Sequence, residues 1–406
     1  MNREPKIRVN LLYDFPHWIL AEYALQVQAT LNEQSQMVCA STGPYPQSAW
    51  ELWTLSKDVD VIHFLAPQPF YRFCRIIPKP VVATVNHIAD DSEWEAFRNF
   101  HSYASAICTT NNQWKQRIES NMHATSPALF LHPLGLDCKL FTPTPSVRSA
   151  LRESFGCDDS TILLGFSAKR SSDVGSRKGL DRLWKLMDML VSRYADRIKL
   201  LLFGPDAPRF PDGWSPGDLP ASLRDHVIIP GFLDRQDLPK YYGALDFYLC
   251  LSRAEGGPYP VMECMACEVP VISTPVGIVP DLIEDGVNSF LVNANDYLER
   301  IPQILERGSH EGEWIERIRN RARISVVNRH SWDKVISFRT FEEIYSHAQA
   351  CWRRKAAPEK WHTWLRLRAR MARESVGTTV RRAVRSLGSS QQVRSRPVGS
   401  PPRPEK

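Results

Sequence analysis

Ser252-Arg253-Ala254-Glu255-Gly256-Gly257-Pro258-Tyr259-Pro260-Val261-Met262-Glu263-Cys264-Met265-Ala266-Cys267, followed by Val269-Pro270-Val271-Ile272-Ser273-Thr274-Pro275-Val276-Gly277, decides the fold of this chain. The apolar runs at 247–251 and 270–273 have the length and composition of buried strands, and the Met, Ala and Cys-rich segment between them reads as a helix. Strand, glycine loop, helix, strand is one parallel βαβ unit. Pro258 and Pro260 stop the loop from joining the helix early, so a helix starting near Pro260 presents unpaired N–H groups at its first turn. Together with the amides of Gly256 and Gly257 these suit an anion such as a diphosphate. Glu255 in the loop and Glu263 about one turn into the helix are placed to hold different hydroxyls of one polar ligand. The bland alternative is a capped helix with two solvated carboxylates. Cys264 and Cys267 have CxxC spacing, but with no second pair and no His at ligand spacing they read as small residues one turn apart.

The same alternation extends in both directions. Candidate strands lie at 7–13, 37–40, 59–64, 81–85, 106–109 and 129–131. After a break at 141–146, where Pro143 and Pro145 suit a hinge, they resume at 161–166, 198–203, 227–229, 247–251 and 270–273. Two α/β domains are expected, each with a parallel sheet buried on both faces, their ligands lying outside the carboxyl ends of the strands and hence in a cleft between them. GxGxxG, the phosphate loop and the Gly-x-Ser-x-Gly elbow are absent, which weighs against a simple dehydrogenase, a P-loop ATPase and a serine hydrolase.

The stretch at 252–277 resembles the donor-binding core of family four glycosyltransferases, retaining enzymes of the GT-B fold, whose pattern is two glutamates separated by seven residues before a Gly-x-Pro-Val strand. Glu268 departs from the small Gly usual before Val269-Pro270. The resemblance implies two Rossmann-like domains facing across a cleft: an acceptor-side domain at 1–142, a nucleotide-sugar domain at 143–332, a closing helix at 333–350 that returns to the first domain, and a basic tail at 351–406. It implies that Glu255 meets the donor sugar and Glu263 the ribose, with Gly256, Gly257, Pro258 and Tyr259 completing the donor-binding run.

Other segments match the same family. Leu131-His132-Pro133-Leu134-Gly135-Leu136-Asp137 followed by Phe141 resembles its interdomain junction, and His330-Ser331-Trp332 its approach to the closing helix. Gly165-Phe166-Ser167-Ala168-Lys169-Arg170 with Arg177-Lys178-Gly179 resembles the strand and basic loop that contact the diphosphate. Lys178 is the firm match there; Lys169, Arg170 and Arg177 compete as its partner, across a polar segment at 171–176 expected to be a loop. A diphosphate needs such cations, an Arg fork and a Lys point charge together. Gly231 and Phe232 fall near the nucleobase, and His87, after the strand ending Thr84-Val85-Asn86, falls where relatives have a His beside the donor sugar. Asp14-Phe15-Pro16-His17-Trp18 stands where relatives carry a Gly-Gly loop. Asp90, Asp91, Glu93 and Glu95 read as a solvated helix start rather than a metal site. The implied reaction is retaining transfer from a UDP- or GDP-sugar to a glycan or lipid-linked acceptor, with neither metal nor cofactor. His87, Glu255 and Lys178 are its candidate catalytic residues. No first-domain carboxylate stands out as a nucleophile, which favours same-face attack assisted by the leaving diphosphate over double displacement.

Charge separates the tail from the rest. The chain has 406 residues with 51 Lys plus Arg and 45 Asp plus Glu; residues 352–406 hold 15 of the bases and 3 of the acids, leaving an acidic body. In the tail, Trp352, Trp361, Trp364 and Leu365 interleave with arginines. That pattern predicts an amphipathic helix at an anionic membrane surface, ahead of a merely solvated or protein-contacting tail and, after that, of a nucleic-acid contact, followed by disorder over 386–406. The nine cysteines, an odd number scattered through the chain, fit a reducing cytoplasm. No signal peptide is expected, because Asp14 interrupts the first apolar run. A peripheral place at the inner face of the membrane follows from the tail. Two alternatives remain at this level: a nucleotide-sugar epimerase of the same fold, and a non-catalytic scaffold binding lipid or nucleic acid through the tail.

Overall fold

The computed structural model describes residues 5–16, 19–123, 125–168, 172–204 and 213–391, with 172–174 and 377–391 as backbone only. The first sheet holds β1 (Ile7–Tyr13), β2 (Val38–Pro44), β3 (Val61–Phe64), β4 (Val81–Thr84), β5 (Ala106–Thr109) and β6 (Ala128–Leu131) in the order β2-β1-β3-β4-β5-β6. The second holds β7 (Ile162–Ser167), β8 (Ile198–Phe203), β9 (Val227–Ile228), β10 (Phe247–Cys250), β11 (Val271–Ser273) and β12 (Phe290–Leu291) in the order β12-β11-β10-β7-β8-β9. Every strand pair is parallel. The two-residue β12 has no counterpart in the sequence rhythm.

Helices cover both faces of each sheet, which is why β3, β4, β5 and β10 are mostly apolar and buried at every position, His63, Thr84 and Thr109 included. On one face of the first sheet Phe64, Phe70, Phe97 and Trp114 form a core, and on the other Leu11, Val27 and Leu31 pack against Phe341, Ile344 and Tyr345. The latter three belong to the helix Phe338–Arg354, so a segment that follows the second sheet in sequence completes the core of the first. This segment is not one continuous helix. Trp332–Val335 forms a single turn and Phe338–Arg354 starts afresh beyond Ser337.

Two strands of chain cross between the domains side by side. The Leu136 N–H donates to the His330 carbonyl at 2.7 Å, and the Trp332 N–H donates to the Leu136 carbonyl at 3.2 Å. Gly135 is required at this crossing because a Cβ there would meet the Trp332 ring at 2.4 Å. The segment 141–146, expected as the hinge, lies instead within the second domain. Phe141 is fully buried in that domain's core, and Pro145 opens the helix Pro145–Ser154, a position where its fixed φ and missing N–H cost nothing.

The helix Tyr259–Ala266 is buried at every position but Pro260, as a sequence apolar apart from Glu263 dictates. Cys264 and Cys267 are free buried thiols, and burial pushes the Cys264 thiol well above its ordinary value. The helix ends in a Schellman turn: the Val269 N–H donates to the Cys264 carbonyl at 2.9 Å and the Glu268 N–H to the Met265 carbonyl at 3.1 Å. Glu268 occupies the left-handed position of this turn with φ of 61°. Its replacement of the usual glycine is therefore a matter of backbone strain at a cap.

Candidate active site

Glu255 and its cations lie at the carboxyl end of β10. Ser252 and Glu255 follow that strand, and the Ser252 hydroxyl donates to Glu255 Oε1 at 3.1 Å. The cations arrive from the helix Ser172–Lys178, which replaces the expected loop. Gly179 ends it at φ of 81°, so close to the strand that a Cβ would meet the Leu251 carbonyl oxygen at 2.2 Å. This close approach delivers Lys178 Nζ to 2.8 Å from Glu255 Oε1 and Arg177 Nη1 to 3.1 Å from Oε2. Arg177 also donates to the Ala254 carbonyl. Glu255 is buried, not solvated; burial acts to raise its carboxyl, but Lys178 and then Arg177 outweigh it and hold it below the ordinary value. Two cations sharing one carboxylate leave a net positive charge for an incoming anion. Of the three candidates for Lys178's partner, Arg177 is adjacent; Lys169 and Arg170 lie outside the described residues.

Eight residues on, Glu263 is also buried. Arg235 Nη1 donates to its Oε1 at 2.5 Å and the Tyr242 hydroxyl to its Oε2 at 2.9 Å. The same guanidinium reaches across the domains, with Nε 2.6 Å from Glu22 Oε1, and it lies over the Phe141 ring at 4.8 Å. Burial lowers the Arg235 value and raises that of Glu22, but Glu263 and then Glu22 more than restore the guanidinium. Beside this cluster Arg235 Nη2 and Tyr259 Oη are buried without a hydrogen-bond partner among the described residues. Arg235, Tyr242 and Glu22 were not singled out by sequence. Arg235 falls four residues after Gly231 with no motif of its own, and Glu22 looks like any acid in the first turn of a helix.

The glycine loop is pressed against the first domain. A Cβ on Gly256 would meet the Asn86 carbonyl oxygen at 2.5 Å, and one on Gly257 would meet Leu134 Cδ1 at 1.9 Å. The Asn111 side chain donates to the Gly256 carbonyl at 2.7 Å and the Trp114 indole to the Glu255 carbonyl at 2.7 Å. Gly256 is thus needed for the approach of the first domain, and Gly257 for packing against Leu134 of the crossing segment, reasons distinct from an open phosphate cradle. Pro258 caps the helix Tyr259–Ala266. Gly231 has φ of 80° in the loop after β9, and Phe232 is half exposed there.

His87 stands three residues beyond β4, close enough for its charge and that of Glu255 to act on one another. Burial lowers its imidazole, Arg177 lowers it further, and Glu255 opposes them, so the ring is neutral at pH 7. Asp14 follows β1 with Oδ1 buried and unpartnered among the described residues; His17 and Trp18 lie outside them. Asp90 caps the helix Asp91–Phe100, accepting the Glu93 N–H at 2.9 Å.

Residues 170–321 match the family described as glycosyl transferases group 1. D-inositol 3-phosphate glycosyltransferase from Thermobifida fusca is 28% identical over 238 residues, which is 57% of this chain and 52% of that protein. GDP-mannose-dependent alpha-(1-6)-phosphatidylinositol monomannoside mannosyltransferase from Mycolicibacterium smegmatis is 24% identical over 208 residues, 50% of this chain and 52% of the relative. The chain matches about half the length of these curated relatives. Among solved structures, sucrose-phosphate synthase from Thermosynechococcus elongatus superposes with a TM-score of 0.66 at 16% identity, covering 85% of this chain and all of that one. HepE from Anabaena in complex with UDP-glucose gives 0.65 at 18% identity, covering 84% and 100%. The two facing parallel sheets are those of the GT-B fold.

Proposed function

We propose, from the premise that this chain belongs to the glycosyl transferases group 1 through residues 170–321, that it transfers a sugar from a nucleotide-sugar donor to an acceptor hydroxyl with retention at the anomeric carbon. The observation that carries the reading is the convergence of Arg177, Lys178 and Glu255 at the carboxyl end of β10, with His87 entering from the first domain. Arg177 and Lys178 take the diphosphate, and their charge stabilises the negative charge that grows on it as the glycosyl bond breaks. Glu255 orients the donor sugar through its hydroxyls. Glu263 takes the ribose, with Arg235 Nη2 and Tyr259 Oη as the unspent donors beside it. Gly231 and Phe232 border the base. The acceptor attacks on the face from which the diphosphate departs, its proton passing to the departing phosphate oxygen, and closure of the cleft excludes water.

The donor is a UDP- or GDP-sugar and the acceptor a glycan or lipid-linked glycan of the kind made in surface polysaccharide or glycolipid synthesis. The tail holds the enzyme at an anionic membrane surface on the cytoplasmic side. Among the described residues no helix is long and apolar enough to cross a membrane, so this contact is peripheral.

Incubation with a panel of nucleotide sugars, with and without glycolipid acceptors, is expected to release nucleoside diphosphate and give product of retained anomeric configuration. Failure to bind, hydrolyse or transfer any member overturns the reading. The neutral His87 adds a pH test. Activity is expected to be level from pH 7 to 8 and to fall only on the acid side of the ordinary imidazole value, as the depressed imidazole gains a proton. His87→Gln removes that acid-side fall at a lower kcat, whereas a wild-type rate that climbs between pH 7 and 8 argues against a neutral His87.

A further inference from the structure

The tail forms a helix over Ala357–Gln391, continuing through 386–391 where composition predicted disorder. It does not float free. Leu367 is only 1% exposed and lies within the first-domain core, and Met371 packs beside it. The Trp50 indole donates to the Met371 carbonyl at 3.1 Å, and Glu374 accepts the Ala49 N–H at 2.9 Å. Arg370 Nη1 donates to the Arg72 carbonyl at 3.3 Å. The helix is thus docked along one side on the elements that follow β2 and β3.

Docking creates a cavity of about 590 Å³ between the helix and the first domain, whose lining among the described residues contains five arginines and no acid. Arg72 and Arg75 come from the domain, and Arg366, Arg370 and Arg373 from the tail. Arg75 is spread over the rings of Phe100 and Tyr103, at 5.1 and 5.9 Å, which fixes the guanidinium at an aromatic wall. Only Arg370 has a carboxylate partner among the described residues, Glu374 at 3.3 Å. The Tyr71 hydroxyl is buried at the same wall with no hydrogen-bond partner among them. Gathering five arginines beside one neighbouring carboxylate, Glu374, is unfavourable unless an anion fills the space, and arginine forks match phosphate oxygens.

The opposite side of the helix shows what carries that anion. At 100° per residue, Trp361, Leu365 and Val376 project away from Leu367. Trp361 is 58% exposed, Leu365 43% and Val376 63%. An outward apolar strip beside an arginine-lined pocket is the arrangement of an interfacial helix, with aromatic and aliphatic groups at the acyl boundary and cations at headgroup level. We propose that the pocket between the tail helix and the first domain binds the phosphate headgroup of an anionic phospholipid, with Arg75, Arg366 and Arg373 as its free cations and Trp361, Leu365 and Val376 entering the bilayer surface. This rests on the reading of the tail as a membrane contact and sharpens it into a site that neither tail nor domain makes alone.

The test is sedimentation of the full chain with phosphatidylcholine vesicles, with and without about one third phosphatidylglycerol. Anionic vesicles are expected to bind the chain and neutral ones to bind weakly. Arg75→Gln with Arg373→Gln lowers binding about 25-fold, at roughly fivefold for each arginine. The charge-matched pair Arg317→Gln with Arg321→Gln, on the far helix Gly312–His330, leaves binding at the wild-type level, and Trp361→Ser with Leu365→Ser lowers it. Equal binding by the pocket and control pairs overturns the site while sparing the membrane reading; no binding to anionic vesicles overturns both. Glycerol phosphate that binds as tightly as vesicles, or single-stranded RNA that binds with the same arginine dependence and more tightly, also overturns the lipid site. Hydrolysis of nucleotide sugar in vesicle-free solution is unchanged by these substitutions, which separates this result from failure of the catalytic reading.

Discussion

Glu255→Gln is expected to lower sugar transfer about 100- to 1000-fold, the scale of removing one well-placed polar contact to a reacting centre. It also breaks a buried ion cluster. Arg177 and Lys178 lose their common carboxylate, and because both cations keep some contact with water the stability cost falls near the low end for such pairs, about 3 kcal/mol. The two effects separate by their partners. With Glu255 neutral, the cations carry more net charge, so affinity for free nucleoside diphosphate is expected to hold or rise while transfer collapses. Calorimetry with the diphosphate alone, beside turnover of the sugar nucleotide, gives both readouts; wild-type turnover in the variant would sink the site. The sign of the acid response follows from the depressed carboxyl. Its contribution is complete above the ordinary carboxyl value and disappears as pH falls through the lower folded value, so wild type loses this stabilisation in acid and the variant has none to lose.

Arg235→Ala should give the largest loss of stability, about 3–5 kcal/mol, because it strands Glu263 and Glu22 without their common cation. Glu263 is nearly inaccessible and, among the described residues, retains only the Tyr242 hydroxyl, whereas Glu22 is half-buried and relaxes toward water. Glu22→Gln alone should therefore cost no more than about 1 kcal/mol. Urea titration of both single variants and the double variant measures the coupling. Since Arg235 Nη2 lies beside the proposed ribose site, Arg235→Ala should also weaken nucleoside diphosphate binding about tenfold, one charge-assisted hydrogen bond. A stability loss below about 1 kcal/mol would show that the cluster is held in water rather than in the protein.

Much of this architecture is legible along the chain because buried parallel strands need continuous apolar runs, and ten of the twelve strands are longer than two residues. The signals failed where a residue's role depends on a distant partner. Pro145 marks a helix start and not a hinge, because the crossing is set by Gly135 against Trp332, two positions far apart in sequence. Arg235 has no motif, because its value comes from standing between Glu263 of one domain and Glu22 of the other.

The stretch from Ser252 to Gly277 by itself determined the βαβ unit, the two glutamates and the family likeness, since local spacing and glycine placement are properties of a short segment. Only the tertiary structure decided that both glutamates are buried and matched by cations, that Gly256 lets the first domain approach, and that the basic tail docks on the first domain. Composition reports how many arginines a segment has. The packing of Leu367 into another domain's core decides which of them converge.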